Sequence, residues 1–209
     1  MEAPGAVHHV VARGNARQEI VKDDVDRVGF VSRLGLAIEK HHWSCLAYCL
    51  LDNHFHLVLQ TPEPNLGLGM KWLKSAYAQD FNHRHDRRGH LFGGRFYSAM
   101  LESDAHLVAA IVYVSLNPVR AGVVEHPEEW RWSSYAATIG LQPIPPFLDA
   151  HAVLELVDRH PTVARELLKN AVDETAGRDP GAARKASGSD PWGLTPYERA
   201  APWGQTRGV

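Results

Sequence analysis

Hydrophobic residues follow two different periods along the first 117 residues, and these periods predict seven elements of secondary structure. Alternation of apolar with other residues, as in a half-buried strand, marks segments 7–12, 43–51, 54–60 and 96–101. Apolar residues recur at helical spacing in segments 23–40, 66–81 and 104–117. The first six elements match the ferredoxin-like plan, a four-stranded antiparallel sheet with two helices on one face. We therefore predict an α+β fold, with the third helix free to pack elsewhere.

Polar residues indicate where the predicted elements begin and end. The expected helix N-caps are Asp23 or Asp24, Asn65, and Ser103 or Asp104. We expect the third helix to end at Asn117, because Pro118 lacks a main-chain N–H and disfavours a helical residue before it. A tight connection at Asp52 and Asn53 joins the second and third strands into a hairpin.

Residues beyond 140 are predicted to add to the sheet domain rather than to complete it. A small helical piece is expected within 149–173. From Gly177 the composition turns to Gly, Pro, Ser, Arg and Asp, which is typical of disorder. The predicted division is a main sheet domain over 1–140, a helical extension over 141–176 and a disordered tail over 177–209.

Composition limits the class of protein. The chain has 209 residues, of which 44% are hydrophobic and 22% charged, as in folded proteins in general. It contains no apolar run of about 18 residues and no signal-peptide pattern. Cys45 and Cys49 lie four positions apart on one predicted strand, so they should face the same way but lie too far apart to form a disulfide. We expect a cytoplasmic, nucleoid-associated protein without a membrane partner.

The net charge of −2 argues against a uniformly basic nucleic-acid binder, but the charge is unevenly distributed. One segment carries six basic residues against Asp80 and Asp86: Lys71, Lys74, Arg84, Arg87, Arg88 and Arg95. Such a segment fits a groove that follows phosphates, and it fits a solvated helix face equally well.

Two histidines begin the third predicted strand. His54 and His56 are two positions apart, so their side chains share one face of the sheet and can bind one ion from the same side. The alternative is a pair of solvated histidines. If they hold an ion, we expect protonation near pH 5 to release it. His83 and His85 repeat the pattern at a helix end, where two residues two apart point in different directions and cannot share an ion.

The third predicted helix carries a tyrosine and an amide one turn apart. Tyr113 and Asn117 stand at i and i+4, so a phenol and an amide oxygen would lie side by side. The alternative is a buried tyrosine followed by a helix stop, which amphipathic helices make more common. Two imidazoles and an amide oxygen suit Mg²⁺ or Mn²⁺ bridged to a phosphate better than a closed zinc site. Such an ion would favour phenolate attack on a phosphodiester.

The chain resembles the single-tyrosine HUH transposases, in particular the REP-associated tyrosine transposases. The resemblance covers residues 6 to 136 in ordered blocks: HHV at 8–10, RGN at 13–15, DNHFHL at 52–57, GHLFGGRFY at 89–97, YVSLNPVRAG at 113–122 and WSSY at 132–135. Several blocks at fitting separations are more specific than any one alone. The resemblance implies an HUH endonuclease type of ferredoxin-like fold.

The resemblance also implies roles for individual residues. In this family the motif histidines and a polar residue four after the tyrosine bind the metal, which implies His54, His56 and Asn117 here. Tyr113 would be the nucleophile that forms a 5′-phosphotyrosine on single-stranded DNA, with Mg²⁺ or Mn²⁺ as cofactor. Expected DNA partners are hairpins or palindromic repeats, and a homodimer is compatible with these features. The predicted DNA-contacting residues are Arg13, Lys74, Arg84, Arg87, Arg88 and Arg95.

These features favour one of four functional classes. The intact set of His54, His56, Tyr113 and Asn117 favours a metal-dependent transposase that nicks and rejoins DNA. The main alternative is a module that binds hairpin DNA or RNA on the same fold without chemistry. A replication initiator or relaxase is disfavoured by the short chain, and a hydrolytic metalloenzyme by the lack of a carboxylate pair for a second metal.

Overall fold

Four strands and six helices make up the part of the chain, residues 3–178, that the computed structural model describes. The strands are β1 (Ala6–Arg13), β2 (Ser44–Leu50), β3 (His54–Thr61) and β4 (Tyr97–Met100). The helices are α1 (Asp24–His41), α2 (Leu66–Arg84), α3 (Asp104–Arg120), α4 (Tyr135–Thr138), α5 (Ala150–Val157) and α6 (Pro161–Arg178). Short 3₁₀ turns cover Asn15–Arg17 and Pro127–Glu129.

The strands form one antiparallel sheet in the order β2-β3-β1-β4. β2 and β3 are the predicted hairpin, and β1 lies between β3 and β4. In the β1–β3 pairing, Val11 stands opposite His56 and Arg13 opposite His54. The predicted α+β, ferredoxin-like architecture is confirmed. The pairing places the odd-numbered residues of β1 on the same face as the two histidines, because directly paired residues share a face.

Helices cover both faces of the sheet. On one face α1 and α2 enclose an aromatic core in which the Phe30 ring lies 4.7 Å from the Phe55 ring and 5.2 Å from the Tyr77 ring. On the other face α3 packs with Ile111 and Val114 toward the sheet. The third helix, for which the sequence predicted no place, therefore lies over the face that carries His54 and His56.

Helix α3 does not end at Asn117 as predicted but continues through Pro118 to Arg120. Pro118 removes one main-chain donor, and it does so in the last turn of the helix. Two polar side chains donate to the main-chain carbonyl of Tyr113. Nδ2 of Asn117 lies 3.0 Å from this oxygen, and the guanidinium of Arg120 lies 3.4 Å from it. Extensive burial of the helix offsets the remaining cost of the proline.

Two of the three predicted N-caps act as caps. The carboxylate of Asp23 accepts from the Asp26 main chain, and the Ser103 hydroxyl accepts from the His106 main chain. Asn65 stands at the start of α2, but its side chain makes no cap bond. Its oxygen accepts from the Trp43 indole at 2.6 Å, so it ties α2 to the chain that follows α1.

The two cysteines do not face the same way, contrary to the prediction. A register shift between Cys45 and Ala47 in the pairing of β2 with β3 reverses the alternation of side chains. Cys45 therefore packs in the core under α1 and α2, and Cys49 packs on the α3 side. Both thiols are buried and free.

The C-terminal helices pack on the α3 side of the sheet. Val153 of α5 with Leu168 and Val172 of α6 joins the core formed with α3. The main chain of Asp149 also donates to the Cys45 carbonyl at 2.8 Å, at the edge of the sheet. Helix α6 runs to Arg178, and the remainder of the predicted tail lies outside the described residues. Among residues 3–178, every helix is too short or too polar to cross a membrane.

Candidate active site

The two histidines of β3 lie close together between the sheet and α3. The ring centroids of His54 and His56 are 5.0 Å apart, and the His56 ring lies 5.8 Å from the ring of Tyr113. Strand alternation places both imidazoles on one face, and the packing of α3 brings the tyrosine to that face. The structure thus assembles three of the four residues predicted for the site through direct ring contacts.

The proton position on His54 is set by its neighbour Asn53. Nδ1 of His54 lies 2.6 Å from Oδ1 of Asn53. The amide of Asn53 is itself oriented, because its Nδ2 donates to the Arg17 carbonyl at 3.3 Å. The amide oxygen can only accept, so Nδ1 of His54 carries the proton and Nε2 carries the lone pair.

A third histidine, His9 of β1, completes the polar cluster. Its Nε2 lies 3.1 Å from Nδ1 of His56, and the two rings stack with their centroids 5.3 Å apart. The His9 ring also meets the Tyr113 ring edge-on at 5.8 Å. Nε2 of His56 is buried and has no hydrogen-bond partner among the described residues.

Burial keeps all three imidazoles neutral. Desolvation lowers the pKa of His9 to about 4. Desolvation, aided by the positive charge of Arg13, lowers the pKa of His54 to about 3. The pKa of His56 falls well below its usual value for the same first reason, with further contributions from neighbouring positive groups. The expected protonation near pH 5 is therefore wrong for these buried rings, since the charged form is penalised to lower pH.

Tyr113 is only 4% exposed, and charged or polar groups lie around its ring. Arg120 lies two turns after Tyr113 on α3, and its guanidinium is 4.5 Å from the centroid of the tyrosine ring. Asn117 is 5% exposed and its Nδ2 is bonded to the Tyr113 carbonyl, so its side-chain oxygen is the atom that could bind a cation. Tyr113 thus lies at a boundary between the α3 core and the histidine cluster.

These residues fit a divalent ion with an incomplete protein coordination sphere. Among residues 3–178 no three His, Cys, Asp or Glu side chains form a group that could hold a metal. The ligand set predicted from the sequence would present Nε2 of His54, Nε2 of His56 and the amide oxygen of Asn117. The unpartnered, buried Nε2 of His56 fits a ligand atom better than a structural imidazole. Such a set leaves positions for water and phosphate oxygens, as Mg²⁺ and Mn²⁺ prefer.

Two of the six predicted DNA-contacting residues line the same groove. Lys74 and Arg95 line a groove of about 630 Å³ beside Phe92 and Phe96. Desolvation lowers the pKa of Lys74 to about 8, and its ammonium donates to the Gly94 carbonyl at 2.6 Å. The loop before β4 lines the groove and is hydrogen-bonded to β1, because the Gly93 main chain donates to the Arg13 carbonyl at 3.0 Å. Arg13, paired with His54, thus links the groove to the histidine cluster.

The arginines at the end of α2 are not among the residues that line this groove. Arg84 bonds to both Asp23 and Asp26, at the start of α1. Arg87 donates to the Gln18 side chain at 2.8 Å, whereas Arg88 is exposed. The His85 ring also bonds to Asp26, so it pairs with α1 and not with His83. The charge of Arg84 is thus already neutralised by two carboxylates.

Comparison with known proteins identifies the family. The sequence profile described as "Transposase IS200 like" matches residues 4–116, which is more than half of the chain. The chain belongs to the IS200-like transposase family.

Two further matches agree with this family. A Haemophilus influenzae protein that carries the name REP-associated tyrosine transposase is 27% identical in an alignment of 108 residues, and the match covers 46% of this chain and 61% of that protein. A solved REP-associated tyrosine transposase bound to a REP hairpin superposes with a TM-score of 0.58 at 17% identity. The superposition covers 68% of this chain and 86% of that one, and it shows a shared fold.

Three polar residues of this IS200-like site were not predicted from the sequence: His9, Asn53 and Arg120. The contact of His9 with His56 could not be predicted, because the register between β1 and β3 follows from packing. The ferredoxin-like order predicts only that these strands lie side by side. The sequence indicates only a turn role for Asn53. Arg120 lies seven residues after Tyr113, on the same helix face, but the helix had been ended at Asn117 on account of Pro118.

Proposed function

We propose that this protein cleaves and rejoins single-stranded DNA through a covalent 5′-phosphotyrosine at Tyr113. The observation that carries the proposal is the contact of the Tyr113 ring with His56 and His9, on the face where the His54 and His56 rings lie 5.0 Å apart. A tyrosine that only filled the core would not need a cluster of neutral, buried imidazoles beside it.

His54, His56 and Asn117 would hold Mg²⁺ or Mn²⁺ at this site. When bound, such an ion withdraws charge from a phosphodiester and stabilises the crowded transition state. The histidines are suited to this because burial keeps them neutral, so that their lone pairs are available at physiological pH.

In the proposed reaction the oxygen of Tyr113 attacks phosphorus. The phenol loses its proton as its oxygen bonds to phosphorus, the bond from phosphorus to the 3′ oxygen breaks, and the leaving 3′ oxygen takes up a proton, so that no net proton is gained or lost. Attack by the 3′-hydroxyl of a second strand reverses these steps and releases Tyr113. No phosphodiester energy is lost to water, so strands are exchanged without nucleotide hydrolysis. Arg120, 4.5 Å from the tyrosine ring, places a positive charge near the developing phenolate.

We propose a DNA hairpin or a palindromic repeat as the substrate, since the solved relative with this fold is bound to a REP hairpin. The groove with Lys74 and Arg95 supplies cations for phosphates and Phe96 as a surface for an unpaired base. Its connection to Arg13 supports a path for single-stranded DNA from the groove to the histidine cluster.

One observation favours the alternative of a binding module without chemistry. Tyr113 is 4% exposed, and a nucleophile has to reach the phosphorus atom. In that case the tyrosine is a core residue and the basic groove alone accounts for DNA binding.

The deciding experiment is incubation with labelled hairpin DNA and Mn²⁺, followed by denaturing electrophoresis. The proposed enzyme gives a covalent protein–DNA adduct, which Tyr113→Phe abolishes while the variant still folds and binds the hairpin. The stringent control is Tyr97→Phe, because Tyr97 of β4 pairs with Val11 and so lies on the same face as His56. An adduct mapped to Tyr97 would move the nucleophile to β4, and no adduct in any variant would favour the binding module.

A further inference from the structure

The hydrogen bond between His9 and His56 has two possible directions, and each leaves a different group on the far side of His56. If Nδ1 of His56 accepts, its proton lies on Nε2; if Nδ1 donates, Nε2 keeps a lone pair. Only the second arrangement provides a metal ligand at Nε2. The 3.1 Å distance is compatible with both.

Burial of Nε2 decides between the two directions. Nε2 of His56 has no hydrogen-bond partner among the described residues. A buried N–H without an acceptor costs more than an unpaired buried acceptor does, and such orphan donors are rarer in proteins. The proton is therefore better placed on Nδ1, where His9 Nε2 is ready to accept it. His54 shows the same arrangement, because Asn53 Oδ1 can only accept from its Nδ1.

We propose that His9 is a positioning residue: it accepts the Nδ1 proton of His56 and thereby holds the Nε2 lone pair of His56 toward the ligand. His9 is not a third ligand, because its Nε2 is bonded to His56 and it belongs to no group of three residues that could hold a metal. It is itself fixed in place, since it is 2% exposed and its strand lies between β3 and β4.

The functional consequence rests on the proposed function, in which His56 binds a divalent ion. Partners that orient a ligating histidine typically contribute a factor of about 10 to 100 to metal affinity. Without an acceptor at position 9, His56 would adopt both tautomers, and the form with its proton on Nε2 cannot bind the ion. Metal affinity should fall although both ligating histidines are still present.

The first test needs no metal. Nitrogen-15 NMR of the metal-free protein distinguishes the two tautomers of His56, whose signals are assigned by comparison with His56→Gln. We expect the proton on Nδ1 of His56 in the wild type and a mixture of tautomers in His9→Leu. A proton on Nε2 of His56 in the wild type would overturn the proposal.

The second test is titration of the metal-free protein with Mn²⁺, followed by electron paramagnetic resonance. His9→Leu should bind Mn²⁺ about 10- to 100-fold more weakly than the wild type. His9→Gln, whose amide oxygen can accept the same proton, should recover most of the affinity. The matched control is His8→Leu, which removes the neighbouring buried imidazole from the opposite face of β1. Equal Mn²⁺ affinity in wild type and His9→Leu would refute a positioning role.

The two tests separate this proposal from the proposed function. If the wild type binds no Mn²⁺ but carries the His56 proton on Nδ1, and His9→Leu disturbs that tautomer, the role of His9 stands and the metal mechanism fails. If Mn²⁺ binds and His9→Leu changes neither tautomer nor affinity, the metal mechanism stands and the role of His9 fails.

Discussion

Acid should destabilise the metal-free protein, because the folded protein keeps its buried histidines neutral whereas the unfolded chain can protonate them. For His9 the pKa is about 4 in the folded protein, against 6.5 for an exposed histidine. Below pH 6.5 the unfolded chain therefore binds a proton that the folded protein excludes, and stability falls as the pH falls. The loss begins near pH 6.5 and is complete near pH 4. At pH 5, about 1.5 pKa units at 1.36 kcal/mol each make the cost about 2 kcal/mol for this one group.

The measurement is urea denaturation at pH 7.5 and pH 5 in the presence of a chelator. His9→Gln removes the titrating group and retains a polar side chain at this position. Titrating groups remote from His9 act equally in both proteins, and the variant also lacks the effect of His9 that lowers the pKa of His56. The loss of unfolding free energy between the two pH values should therefore be smaller in the variant by at least about 2 kcal/mol. An equal loss in wild type and variant would refute the argument that burial of His9 resists protonation.

Three further predictions concern the groove, the metal and the ion pair between Asp26 of α1 and Arg84 of α2. Neutralising Lys74 and Arg95 together should flatten the salt dependence of hairpin binding by about two ion equivalents, measured by fluorescence anisotropy, whereas Arg84→Gln should leave the slope unchanged. His56→Ala should abolish adduct formation but leave most hairpin affinity intact, and full cleavage by this variant in chelator would exclude the metal role. Asp26→Ala should lower the unfolding free energy by about 1 to 3 kcal/mol, since the buried Asp26 carboxylate accepts hydrogen bonds from the Lys22 main chain and from Arg84; a loss below about 0.5 kcal/mol in urea denaturation would contradict this.

Local periodicity in the sequence was sufficient for the elements and for part of the site. Alternation placed His54 and His56 on one face of a strand, and helical spacing placed Tyr113 beside Asn117; both relations survive in the structure. They could be predicted because each depends only on the geometry of a single strand or helix. The ferredoxin-like order followed from the succession of those elements.

Relations between distant segments were decided by the tertiary structure alone. The partnership of His9 with His56 depends on the register of β1 against β3, which is set by packing of both faces of the sheet. The bulge in β2 places the Cys49 side chain on the opposite face of the sheet from Cys45. Burial of α3 allows the helix to continue past Pro118, so that Arg120 lies over the Tyr113 ring. Arg84 looked like a phosphate contact in the sequence, but α1 presents two carboxylates to it across the fold. A charge or a histidine in a sequence acquires its partner only when packing brings distant segments together, and this is why the polar surroundings of the site could not be predicted.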